Sequence, residues 1–250
     1  MGMFIYKSRS LFHSLIVAAV CIFALNSTAE ARLTCDAGLA LAWPQDKFEE
    51  QVDFAWGGGA RIGYSFFEES AAGISLFFDL SYLNYGRERR VEPFSITIPD
   101  VFVDVVTDNY MVLFSPGISL GVHRGWFRPY GEIFAGGTYI ATRTKIEKHG
   151  WSQEEIAAST NFDDFTYNLG LGGGIKVPVY RSPRVGGSKL SKINLSEVLI
   201  DVKFTYIKGG EAEYLKKGSI TRTTRGNIIY ETYLSKTDLF QLRIGCSFRF

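Results

Sequence analysis

The chain has 250 residues, and its 27 basic and 26 acidic side chains give a net charge of +1. This balance, without a concentrated basic surface, argues against a nucleic-acid-binding protein. The 20 Phe, 13 Tyr and 26 Gly are instead typical of a membrane barrel with aromatic girdles and closely packed strands.

The first segment has the organisation of a secretory signal peptide. Basic Lys7 and Arg9 precede an apolar run over 11–25, and Ala29-Glu30-Ala31 fits an A-x-A cleavage site. We expect cleavage after residue 31, which leaves 32–250 as the mature barrel. An uncleaved anchor is the alternative, but the apolar run is short for a membrane span, and no later run is long enough for a helical one.

Eight later segments alternate between apolar and small or polar residues, with the period of two that a β-strand requires. In chain order they are 33–43, 53–67, 73–86, 108–122, 127–141, 165–178, 197–208 and 236–250. An even number of strands, each long enough to cross at a tilt, is the rule for single-chain outer-membrane barrels. The sequence therefore predicts an all-β fold, an eight-stranded antiparallel up-and-down transmembrane β-barrel in the bacterial outer membrane. A soluble barrel with an apolar cavity is the alternative, but its apolar faces would have to point inward.

The connections alternate in length, and this predicts the orientation. Short periplasmic turns fall at 68–72 and 123–126, whereas the long connections 44–52, 87–107, 142–164 and 209–235 are expected at the cell surface. The connection 179–196 is long for a periplasmic turn. Within the outer loops, 219–224 and 228–234 are predicted to form a hairpin, and the capping box from Ser152 to Glu155 to open a short helix.

The inward-facing positions fall into two groups by depth. Apolar residues lie toward the outer side: Leu83, Tyr85, Met111, Leu113, Ile140, Ile207 and Leu239. Charged residues lie toward the middle and the periplasmic side: Arg61, Asp79, Glu132, Lys176, Asp201, Lys203, Arg243 and Arg249. Because a buried unpaired charge is costly, the charged group predicts a salt-bridged plug. The apolar group above it predicts a cup that is either filled by its own side chains or open to a small apolar molecule.

The layered lumen and the C-terminal strand resemble the OmpW/OprG-like family of eight-stranded outer-membrane barrels, although no motif specific to the family is matched. The resemblance implies a narrow channel that passes small hydrophobic or amphipathic molecules sideways into the membrane. It implies a lateral opening at Pro116, which lies in mid-strand and lacks an N–H; a tolerated β-bulge is the other interpretation. It also implies that Phe248 and Phe250 form the signal that the barrel-assembly machinery reads, with outer-membrane lipids around the wall.

Catalysis is poorly supported by the sequence. His149 lies near Ser152 and Glu154 in an outer loop, but nearness along the chain is weak support for a catalytic set. The glycine run 170–174 is surrounded by strand, so it is no nucleotide-binding motif, and no metal-ligand spacing is present. We therefore predict no enzyme, no metal and no cofactor.

Cys35 and Cys246 lie near the periplasmic ends of the first and last strands, which meet when the barrel closes. They either form a disulfide across the seam or remain two lipid-facing thiols. The sequence favours free thiols because it does not determine the strand register.

The outer loops carry mixed charges, among them Lys216, Arg222 and Glu213. This pattern fits an adhesin that binds host surface ligands through its loops, an alternative to the channel. An ordinary solvated surface on a purely structural barrel is the third interpretation.

Overall fold

The computed structural model describes residues 32–66, 72–95, 98–149, 155–182, 195–222 and 228–250. The predicted signal peptide, residues 1–31, lies outside the described residues, and so does most of the connection 179–196. Where that connection leaves and re-enters the barrel, the amide of Ser182 donates to the carbonyl oxygen of Ser196 at 2.9 Å.

Ten strands and one short helix make up the described part of the chain. The strands are β1 (Arg32–Pro44), β2 (Ala55–Phe66), β3 (Ala72–Ser95), β4 (Ile98–Val122), β5 (Arg128–Lys148), β6 (Glu155–Arg181), β7 (Glu197–Gly209), β8 (Glu211–Arg222), β9 (Ile228–Lys236) and β10 (Leu239–Arg249), and α1 covers Asp46–Glu49. Eight strands close into an antiparallel barrel in the order β1-β10-β7-β6-β5-β4-β3-β2, and β8 pairs with β9 in a separate sheet. The predicted fold class is confirmed.

No helix in the described part of the chain is long and apolar enough to cross a membrane.

The alternating pattern places opposite chemistry on the two faces of the wall. In β10, Gln241 and Arg243 are buried in the lumen, whereas Ile244 is exposed on the outside. Pairing of Leu39 in β1 with Ile244 in β10 closes the barrel with apolar residues adjacent on the outer face. A shift of the register by one residue would turn the charges outward, so the pattern itself selects this closure.

Four strands extend well beyond their predicted ends, which corrects two predicted loops. The ladder continues through most of 87–107 and 142–164, with Glu88 opposite Thr107 and Arg143 opposite Thr160. The prediction of a short helix near Ser152 is wrong from Glu155 onward, because β6 begins there. Residues 152–154 lie outside the described residues. Above the membrane the outer face no longer contacts lipid, so the apolar alternation that reveals a spanning strand disappears.

The outer mouth of the barrel is covered by α1 and by the hairpin of β8 and β9. The predicted hairpin is present, and it begins earlier than expected, at Glu211. Its register shifts between Leu215 and Ile220, where Gly218 adopts a φ of 85°, a conformation that glycine reaches without a steric penalty. α1 enters through Asp46 at φ 54°, a left-handed conformation that Asp tolerates better than most residues.

Candidate functional site

A cluster of ion pairs fills the middle of the lumen. Arg61 contacts Asp79 at 2.9 Å and Glu132 at 2.7 Å. Lys203 bridges the same two carboxylates at 3.2 and 3.1 Å, and Arg243 contacts Asp79 at 2.6 Å. Each of these five side chains is at most 11% exposed. The structure thus places five of the eight predicted charged residues in one network, in which every charge has an opposite partner.

The other three predicted charged residues lie nearer the periplasm and use partners that sequence reasoning missed. Lys176 contacts Asp36 at 2.9 Å, and Arg249 contacts Glu197 at 3.1 Å. Asp201 accepts a hydrogen bond of 2.8 Å from Tyr130. Arg128 also contacts Glu197, at 2.7 Å. A signal was available, since Asp36 alternates inward in the first predicted strand, while Glu197 opens the seventh and Arg128 stands at the start of the fifth.

A small cavity lies at the periplasmic end of the lumen, below the ion pairs. Its volume is about 60 Å³, enough for ordered water. Asp36, Lys176, Ser247 and Arg249 line it, and the Oδ1 atom of Asp36 is buried there without a hydrogen-bond partner among the described residues. This polar lining suits ordered water.

The upper lumen holds an apolar cluster instead of an open cup. All seven predicted cup residues are buried and belong to one cluster, which is Leu83, Tyr85, Met111, Leu113, Ile140, Ile207 and Leu239. Phe48 of α1 and Tyr214 of β8 pack into the same cluster, with their ring centroids 5.1 Å apart. Tyr85 completes an edge-to-face trio at 6.2 Å from Phe48 and 6.4 Å from Tyr214.

The two filling residues come from the segments that cover the mouth. Phe48 is fully buried and Tyr214 is 1% exposed, and Lys216 holds the two segments together by donating to Gln51 at 2.9 Å. Sequence reasoning missed both aromatics, because neither lies in a predicted spanning strand. In this structure the upper lumen is filled by protein side chains.

Pro116 lies at an interruption of the hydrogen-bonded ladder. Between β4 and β5 the pairing passes from Phe114–Gly137 to Gly117–Phe134, leaving Ser115 and Pro116 without β5 partners. The ladder to β3 is intact, since Pro116 stands opposite Phe78. The strands nonetheless approach closely here: a Cβ added at Gly136 would collide with the carbonyl oxygen of Phe114.

Cys35 and Cys246 do not form a disulfide. The register sets Cys35 opposite Phe248 and Cys246 opposite Ala37, so the two cysteines are diagonal neighbours. Diagonal neighbours are roughly 7–8 Å apart, beyond the usual separation for a disulfide. Of the two alternatives, the structure has the one that the sequence favours, because both residues are free thiols.

His149 contacts an acidic residue above the membrane. Its Nδ1 lies 3.2 Å from an oxygen of Asp104, which also forms an ion pair of 2.7 Å with Arg89. The hydrogen bond from Arg89 lowers the pKa of Asp104 below its usual value. Ser152 and Glu154, which lie near His149 in the sequence, are outside the described residues.

The outer wall between the two rims is apolar. Large side chains exposed on it include Leu39, Ile62, Phe78, Leu120, Ile133, Leu171, Val202 and Ile244. Aromatic residues such as Trp43, Trp56 and Tyr82 lie toward the upper rim, and Trp126 lies at the lower one. A closed wall with an apolar band between aromatic girdles is what a lipid bilayer requires. The chain folds as a transmembrane β-barrel.

Three solved structures show distant similarity to this chain, all at low identity. Ail, the attachment invasion locus protein of Yersinia pestis, is 12% identical, with 89% of this chain and 99% of that chain covered and a TM-score of 0.34. The outer membrane protein OprG from Pseudomonas aeruginosa is 11% identical, with coverages of 89% and 97% and a TM-score of 0.37. Neisserial surface protein A is 12% identical, with coverages of 88% and 95% and a TM-score of 0.32. No family model and no curated protein matches the chain.

Proposed function

We propose that the protein is a cell-surface binding protein that presents a four-stranded sheet to a partner outside the cell. This sheet extension consists of residues 85–95 of β3, 98–109 of β4, 141–148 of β5 and 155–167 of β6. Below it the barrel is complete, because β2 pairs with β3 up to Asn84 and β7 pairs with β6 up to Asn168. At roughly 3.3 Å per residue the extension rises about 30 Å along its strands. This projection is the observation that carries the proposal.

The filled lumen supports a role for the outer surface over a role for the interior. Ion pairs occupy the middle of the barrel, and Phe48 and Tyr214 occupy the upper part. A solute crossing the barrel would have to separate buried charges, which costs several kcal/mol for each broken pair. The sheet extension needs no such change to meet a partner.

The tip of the extension exposes an apolar patch. Val91 is 53% exposed and Phe102 is 51% exposed, and Pro93 lies directly opposite Phe102. Apolar groups gathered at the end of a projecting sheet favour contact with another surface. The nearby pair of Arg89 and Asp104 gives the patch a polar border.

Shortening the sheet tests the proposal. Glu88 stands opposite Thr107, so residues 89–106 can be replaced by an Asn-Gly turn that keeps the register of β3 and β4. Cells that express this variant should lose adherence to a mammalian cell monolayer, while its heat-modifiable band in unboiled gels shows that the barrel still assembles. The matched control replaces residues 223–227, which connect β8 to β9 in the sequence, by an Asn-Gly turn and leaves the sheet extension whole. Adherence equal to wild type in the shortened variant would refute the proposal.

A second function, a channel with a lateral exit for small hydrophobic or amphipathic molecules, is favoured by the ladder interruption at Pro116. A missing N–H at this point weakens the contact between β4 and β5, where a solute would have to pass. Proteoliposomes should then take up a small apolar solute faster with the protein than without it, and Pro116→Ala should slow the uptake. Equal uptake by wild type, variant and empty vesicles would eliminate the channel.

A further inference from the structure

The two free edges of the sheet extension differ in their protection against strand pairing. The edge formed by β3 carries charged residues at 87–90 and again at Glu92, followed by Pro93. Charges and proline are the usual means by which proteins prevent another strand from adding to an edge. This edge is therefore closed to a partner strand.

The edge formed by β6 has no such protection. Between Ile156 and Phe162 it carries no charge and no proline, and the side chains of 155–160 are all exposed. The last backbone contact on this side joins the amide of Gly210 to the carbonyl oxygen of Tyr167. Above that point no strand among the described residues pairs with this side of β6.

The start of the hairpin stands beside this edge without completing the ladder. The amide of Glu213 donates to the side chain of Asp164 at 2.8 Å, where a paired strand would use a backbone carbonyl. Glu211 and Lys236 form one wall of an open cleft, and Phe165 and Tyr167 form the other. The cleft lies directly above the upper end of β7, beside the part of β6 that β7 does not reach.

Charge around the lower end of this edge is acidic. Asp164 of β6 lies on the hairpin side, where it accepts from the amide of Glu213, whereas Asp163 lies on the opposite, outer face beside Tyr139. Glu211 adds a third carboxylate, and Lys236 is a basic residue of the cleft. Higher up, Ala157 and Ala158 are small, so large side chains of a neighbouring strand have room beside them. The edge thus matches a strand with basic residues near the membrane and uncharged residues above.

We propose that the edge of β6 from Glu155 to Asp164 is a strand-addition site for an extended, basic segment of a second protein. The added strand runs antiparallel to β6, away from the membrane, and continues the row of β7. Backbone hydrogen bonds supply the affinity, and the acidic lower end selects the basic partner. This inference rests on the proposed surface-binding function and names its class of partner.

The test uses a synthetic peptide of alternating valine and threonine flanked by lysines, with the purified protein in neutral detergent. Its control peptide has the same sequence with N-methylated central amides, which cannot donate along either edge. We expect the first peptide to bind and the N-methylated one to fail by fluorescence anisotropy. Ala157→Lys places a charge on the open edge and should weaken binding by about tenfold or more. Val91→Lys, the same change on the β3 edge, should leave binding within about twofold.

A second variant separates charge from edge pairing. Asp163→Asn should weaken binding and reduce its dependence on salt, because a screened attraction is lost. Amide exchange should slow in the presence of peptide at alternate residues within 157–160, whose N–H groups point away from β5 and become hydrogen bonded.

Four outcomes would overturn the inference. The N-methylated peptide could bind as well as the parent, or both lysine variants could weaken binding equally. Wild type could instead form a dimer that Ala157→Lys dissociates while no peptide binds, which would make a second copy the occupant. Cells that express the Ala157→Lys variant could adhere normally, while cells that express the variant lacking residues 89–106 do not. Surface binding would then stand, and strand addition at β6 would be refuted.

Discussion

Replacing Asp79 by alanine tests whether the charged network stabilises the barrel as a unit. Asp79 contacts Arg61, Lys203 and Arg243 at 2.9, 3.2 and 2.6 Å. After the change, Arg61 and Lys203 still contact Glu132, but Arg243 loses its carboxylate partner. Removing one partner of a buried ion pair costs roughly 3–5 kcal/mol. We expect the loss in the free energy of unfolding to lie at the upper end of that range, because Arg243 keeps no carboxylate.

Urea unfolding in detergent micelles measures the loss, with the heat-modifiable band as the readout of folded barrel. Asp108→Asn is the matched control, because its partner Arg87 is 67% exposed at 3.6 Å; an exposed pair of this kind contributes at most about 1 kcal/mol. The double variant Asp79→Leu with Arg243→Met removes both charges and should recover part of the loss. If Asp79→Ala costs no more than Asp108→Asn, the network does not stabilise the barrel and the reasoning fails.

Three further predictions concern the mouth, the sheet extension and the seam. Tyr214→Ala removes a fully packed ring from the upper cluster, a change that typically costs about 3–5 kcal/mol; protease should then cut the hairpin faster while the folded barrel band persists, and unchanged cutting would contradict the packing. Because the pKa of Asp104 is lowered, its ion pair contributes stability above the ordinary carboxyl pKa and loses it as the pH falls through the lowered value. Arg89→Gln should therefore lower the melting temperature at neutral pH but not in strong acid; an equal difference at both would be inconsistent with the pairing. Cys35 and Cys246 should both react completely with a lipid-soluble maleimide without reductant, and protection of the pair until reduction would show a disulfide after all.

The barrel wall could be predicted from the sequence because one physical constraint acts on every residue of it. A spanning strand such as β10 must put apolar side chains toward lipid and small or polar ones toward the lumen, so the period of two appears in the chain itself. The same alternation assigned Arg61, Glu132 and Arg243 to the interior, since charge is costly on the lipid side.

The sheet extension could not be predicted, because that constraint ends at the rim. From Arg87 upward in β3, and in β6 above Phe165, no lipid covers the outer face, so apolar residues need not alternate there. These segments are strands because neighbouring backbones supply hydrogen bonds, as between Glu88 and Thr107, and such pairing leaves no period in the sequence. The charged residues 87–90 therefore have the composition expected of a loop.

The filling of the lumen was likewise decided by the tertiary structure. The sequence determined a closed eight-stranded wall, an apolar upper layer and a charged lower layer. Whether the upper layer encloses a cup depends on where Phe48 and Tyr214 come to rest, and both arrive from segments without strand periodicity. The partner of each buried charge depends on the register and tilt that bring distant strands together, as Lys176 meets Asp36 across the lumen. The local alternation of the sequence indicates whether a side chain points to the lumen or to the lipid. Only the closed barrel determines which residues from distant strands that side chain contacts.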